Sequence, residues 1–113
     1  MLVDIGEKVH VIERRLFEGD VRRHFCGVVE RAGNEVIRVT GYVYVYDPGS
    51  TTYIRSDSRR TRLIPLVSSG FVVNVVPFDT DVESIRYVER DGRLVVTDGA
   101  GFTLDINEFG RHR

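Results

Sequence analysis

The chain has 113 residues, 42% of them hydrophobic and 29% charged, with a formal net charge of −1 at pH 7. That length suits one domain with one substantial core, and the near-neutral balance excludes a global field drawing it to nucleic acid or anionic membranes. One cysteine, Cys26, excludes an internal disulfide and a cysteine-rich zinc site. No apolar run reaches the roughly 18–20 residues of a membrane helix, so no membrane association is expected. The first 15 residues carry mixed charges and no apolar h-region, so no secretory signal is expected. A reducing, cytoplasmic setting follows as the expectation. Lys8 is the only lysine, the other basic residues being arginines.

Taken in order, the chain reads as strands at 8–17, 21–31, 35–47, 51–56, 60–66, 71–77, 84–90, 93–98 and 102–108. Turn residues separate them: Glu18-Gly19-Asp20, Gly33-Asn34, Asp47-Pro48-Gly49-Ser50, Ser68-Ser69-Gly70, Asp91-Gly92 and Asp98-Gly99-Ala100-Gly101. Asp91-Gly92 is the strongest hairpin signal, because both central residues of such a turn want positive φ. Pro48-Gly49 suits the centre of a type II turn. Only Thr80-Asp81-Val82-Glu83 has a helical signature, a capping box, and it predicts at most one short helical turn near 80–86. The expected fold is all-β: a bent small barrel or two-layer sandwich of about eight mostly antiparallel strands in a single domain over 1–110, with 111–113 a frayed tail.

The run from Glu35 to Asp47 alternates with period two. Ile37, Val39, Gly41, Val43 and Val45 fall on one side of a strand, and Arg38, Thr40, Tyr42, Tyr44 and Tyr46 on the other. A two-residue turn at Glu18-Gly19 would set Val11 opposite Cys26 and Leu16 opposite Val21. One at Gly33-Asn34 would set Val28 opposite Val39 and Phe25 opposite Tyr42. Together these registers predict an aliphatic face (Val9, Val11, Cys26, Val28, Ile37, Val39, Val43, Val45) and an aromatic face in which Arg14, Arg23, Phe25 and Arg38 join Tyr42, Tyr44 and Tyr46. Gly27 and Gly41, inside adjacent strands, predict a bend there.

Candidate sites follow from these faces. The tyrosine–arginine face could bind a protein or single-stranded nucleic acid; the favoured expectation is that the C-terminal strands cover it. Arg55, Arg59, Arg60 and Arg62 form the densest basic stretch, a candidate phosphate contact read first as a solvated loop and edge strand. In the register above Glu13 faces His24, with Cys26 two residues away, but valines around the cysteine argue against an activated thiolate. Asp79, Asp81 and Glu83 lack the further oxygen ligands of a calcium loop. No cofactor, metal or catalytic residue is expected. The apolar stretches 63–67 and 71–78 want burial on both sides, which a second copy of the chain could supply. The expectation is therefore a small non-enzymatic interaction or assembly module, self-associating as a homo-oligomer or binding a protein partner, with single-stranded nucleic acid as the alternative partner.

Overall fold

The computed structural model describes residues 2–67 and 70–106. Among these residues nine strands form: β1 (Lys8–Glu13), β2 (Arg23–Ala32), β3 (Val36–Asp47), β4 (Thr52–Arg55), β5 (Arg60–Pro65), β6 (Phe71–Val76), β7 (Arg86–Arg90), β8 (Arg93–Thr97) and β9 (Thr103–Asp105). One 3-10 turn, Val82–Ser84, precedes β7. The tail at 111–113, with His112, the Ser68-Ser69 pair and the end of the last expected strand lie outside the described residues.

The first six strands make one antiparallel sheet in the order β4-β3-β2-β1-β6, with β5 pairing along the first half of β3 and β4 along the second. Strands β7-β8-β9 form a second, smaller sheet. Between the two expected architectures the structure decides for the sandwich. The large sheet does not close, since among the described residues no strand pairs with the outer edge of β6. Gly27 of β2 sits opposite Gly41 of β3, where the two backbones come close. A Cβ on Gly41 would lie 1.8 Å from the Cys26 carbonyl oxygen, and one on Gly27 would lie 2.3 Å from that of Thr40. Only glycine permits this approach.

One face of the large sheet packs on itself. Val9, Val11, Phe25, Val29, Ile37, Val39, Val43 and Ile64 form this aliphatic core, joined by Val3. The opposite face packs on the small sheet through Cys26, Tyr44, Tyr53, Val76, Ile85, Tyr87, Val96 and Phe102. The C-terminal strands therefore cover the tyrosine-bearing face in part, burying Tyr44 and leaving Tyr42 and Tyr46 half-buried.

The faces of β1 and β3 are those the alternation predicts, but β2 is inverted. Val11 pairs with Phe25 rather than Cys26, and Phe25 pairs with Val43 rather than Tyr42. Phe25 thus belongs to the aliphatic core, and Cys26 to the aromatic one. The β2–β3 connection sets Ala32 opposite Ile37, and the register then slips by one residue between Val29 and Arg31. A connection lengthened by two residues preserves the faces; the single-residue bulge at Glu30 exchanges them. The tight turn expected at Glu18-Gly19 is likewise replaced by a loop over 14–22. There the Asp20 carboxylate accepts from the amides of Leu16 (3.2 Å) and Phe17 (3.1 Å), leaving both side chains exposed.

Two turns also differ from expectation. Gly49 does not take positive φ; the β3–β4 turn puts it at Thr51 (55°) instead, so Pro48-Gly49 is not a type II turn. Asp47 organises the turn by accepting from the Gly49 amide (3.1 Å) and the Ser50 hydroxyl (2.8 Å). At the 3-10 turn the cap is Asp81 rather than Thr80, its carboxylate accepting from the Glu83 amide and the Ser84 hydroxyl. Asp91 and Gly92 do both take positive φ, 53° and 79°, as a two-residue hairpin turn requires.

Candidate functional site

The aromatic layer between the sheets holds the densest chemistry. β1 contributes His10, β2 His24 and Cys26, β3 Tyr44, β4 Tyr53 and β7 Tyr87. The two histidines pair with Cys26 and Ile12 respectively, so the alternation of β1 and β2 turns them both toward the small sheet. Tyr87 reaches them from that sheet. Its hydroxyl lies 2.9 Å from His10 Nε2 and 2.5 Å from His24 Nδ1. Tyr53 stacks on both His24 (4.3 Å between ring centres) and Tyr87 (4.5 Å). Tyr44 donates its hydroxyl to the Ile85 carbonyl (2.9 Å).

A phenol has one proton to give, so the Tyr87 hydroxyl donates to one imidazole and accepts from the other. His10 Nδ1 is buried without a partner. An orphaned acceptor there costs less than an orphaned N–H, which favours His10 Nε2–H donating to Tyr87 and Tyr87 donating to His24 Nδ1. Both imidazoles are then neutral. Burial lowers His10 to about 4, and burial, with the His10 ring and the Arg22 guanidinium alongside, lowers His24 to about 3. Burial pushes the Cys26 thiol up, the opposite of what an activated thiolate needs. Glu13 pairs with Arg23, while His24 pairs with Ile12, so the expected Glu13–His24 pair does not form. Chemically the cluster is a neutral hydrogen-bonded relay in an aromatic shell.

Beside it, a cleft of about 500 Å³ opens between the sheets. Tyr46, Thr52 and Tyr53 line one wall; Tyr87, Glu89, Arg93 and Leu94 line the other, with Arg22 and Ile106 at its margins. The Arg22 guanidinium lies 5.8 Å from the centre of the Tyr46 ring. Burial raises the pKa of Tyr53, partly offset by Arg22 close to its hydroxyl.

The residues singled out in the sequence disperse. Tyr42, Tyr44 and Tyr46 share a face with Arg38, but Tyr44 is buried and Tyr42 is engaged. Arg55 (4.5 Å) and Arg59 (5.7 Å) lie over the Tyr42 ring, whose hydroxyl donates to Glu83 (2.8 Å). Arg59 also pairs with Glu83, and Arg55 donates to the Glu83 carbonyl (2.8 Å). Arg23 sits opposite Val45, on the other face, and Arg14 lies past the end of β1 with its amide bonded to the Gly70 carbonyl. Arg60 is exposed opposite Gly41, and Arg62 lies over Phe25 (5.8 Å). The basic stretch is thus split among three environments. His10, Tyr53, Tyr87, Arg22 and Thr52 were not singled out as site residues. The only signal for Tyr87 was its alternation with Ile85 in an otherwise charged strand.

Among the described residues no group of three or more His, Cys, Asp or Glu side chains is placed to hold a metal, and no helix is long and apolar enough to cross a membrane. Two antiparallel sheets packed on an aromatic layer define an all-β sandwich. Compared with protein-family models, curated proteins and solved structures, the chain matches none.

Proposed function

We propose that the chain is a non-enzymatic assembly module that pairs with a second copy of itself along the β6 edge. The observation that carries this is the character of that edge. β6 reads Phe-Val-Val-Asn-Val-Val, without a charge, and no described strand covers its outer side. An uncharged, apolar edge strand is a template for further pairing, and chains that stay apart guard such edges with charge or proline. The surface around it is apolar too: Val75 is 51% exposed and Phe78 79%. Two copies related by a two-fold axis would meet antiparallel, each residue finding the same chemistry opposite and no like charges to repel. The small sheet packs on the tyrosine-bearing face, so among the described residues these apolar side chains find no cover.

Sedimentation tests this. The wild type is expected to dimerise, and Val75→Lys, which adds a guarding charge at an exposed position, is expected to run as a monomer with an unchanged circular dichroism spectrum. A strict monomer at high concentration overturns the proposal, as does a dimer unaffected by the substitution. Single-stranded nucleic acid, the other expected partner, would find Tyr44 buried and Tyr42 engaged with Arg55, Arg59 and Glu83.

A further inference from the structure

We propose that the cleft between the sheets binds a nucleoside monophosphate, its phosphate on Arg22 and its base against Tyr46. This does not rest on the β6 proposal, since the cleft and that edge are formed by different strands.

Four independent features meet there. First, Arg22 has no carboxylate partner among the described residues, whereas the other arginine of the cleft, Arg93, is held by Asp105 at 2.8 Å. An exposed guanidinium set beside a tyrosine ring and a phenol hydroxyl is suited to an anionic oxygen group. Secondly, Tyr46 is half-buried and edge-on to Tyr53 (66°, 5.3 Å). A tyrosine with a guanidinium alongside is a surface on which a base stacks.

Thirdly, Thr52 Oγ1 is buried in the cleft wall with no hydrogen-bond partner. A buried hydroxyl left unpaired costs stability, and its rotation toward the cleft would pair it with a ribose oxygen. Its neighbour Thr51, whose hydroxyl donates to the Ser50 carbonyl at 2.6 Å, stands at the same rim. Fourthly, Glu89 stands on the opposite wall as an acceptor, matching the N–H donors on a base edge and disfavouring a ligand that is anionic throughout. A volume of about 500 Å³ is within the range of clefts that hold small ligands.

The same chemistry is presented by a free nucleotide and by the 5′-end of a single strand. Equilibrium dialysis of the full chain against AMP, GMP, CMP and UMP, and against adenosine, inorganic phosphate and 5′-phosphorylated tetra-adenylate, tests the site and separates these sources. At least one monophosphate is expected to bind saturably, one per chain, with its nucleoside and phosphate alone about tenfold weaker or more. Arg22→Gln is expected to weaken the monophosphate about tenfold while leaving the nucleoside unchanged. Tyr46→Ala should weaken both alike, and Arg60→Gln, on β5, should weaken neither. Tetra-adenylate binding well above AMP assigns the site to strand ends; equal binding assigns it to free nucleotide. No saturable binding of any of the four monophosphates overturns the proposal, as does an Arg22→Gln chain, folded by circular dichroism, that binds as the wild type does.

Discussion

Acidification should destabilise this protein through two buried histidines. His10 is 1% exposed and His24 5%, and both sit neutral on the Tyr87 hydroxyl. Their folded-state pKa values, about 4 and about 3, lie below the 6.5 of an unperturbed histidine. The unfolded chain therefore binds protons first. Stability is present in full above pH 6.5 and is lost as pH falls through that value toward 4 and 3. At about 1.36 kcal/mol per pKa unit, each histidine has forfeited about 2 kcal/mol by pH 5, or about 4 together. Domains of this kind are stable by only about 5–15 kcal/mol, so the effect is large. Asp47 and Asp98 are both held below the usual carboxylate range by hydrogen bonds, Asp47 from Ser50 and Gly49 and Asp98 from the amides of Asp81, Ala100 and Phe102, so they stay ionised at pH 5. Urea unfolding followed by circular dichroism at pH 8, 7, 6 and 5 would show a plateau, then a decline approaching about 2.7 kcal/mol per pH unit. His24→Asn, which keeps a polar atom near the Nδ1 position, should roughly halve that slope. A stability at pH 5 within about 1 kcal/mol of that at pH 7 would refute the buried, neutral assignment.

Gly41→Ala should cost more than about 4 kcal/mol or prevent folding, because its Cβ would meet backbone at 1.8 Å, while Gly19→Ala, with nothing within 4 Å, should leave the chemical denaturation midpoint almost unchanged. Cys26 should resist an aromatic disulfide reagent at pH 8 in the native protein and react at once in urea, since burial pushes its thiol up. A fast native reaction would place it outside the aromatic layer.

The faces of β3 could be read from its own residues, because Ile37, Val39, Val43 and Val45 alternate without ambiguity against arginine, threonine and tyrosine. β2 offers no such contrast. Phe25, Cys26, Val28 and Val29 are apolar on both sides, so either parity satisfies the pattern, and the choice fell to a bulge at Glu30 that no sequence period marks. The candidate site was less legible for the same reason of distance. His10 and Tyr87 are separated by 77 positions and His24 and Tyr87 by 63. Nothing local to any of the three signals the others.

What the sequence determined by itself was therefore local: an all-β run of short strands, the Asp91-Gly92 hairpin turn, the aliphatic side of β3 and glycine where β2 and β3 approach closely. Each depends on residues a few positions apart, on side-chain period or on the one residue type that fits a close approach. Only the tertiary structure decided which way β2 faces, and that choice brings His24 and Cys26 under the small sheet with His10 and Tyr87. It also decided that Tyr44 is buried by its own chain, and that among the described residues no strand pairs with the outer side of β6. Those outcomes depend on which surfaces compete for the same cover, and that competition is settled between strands, not within them.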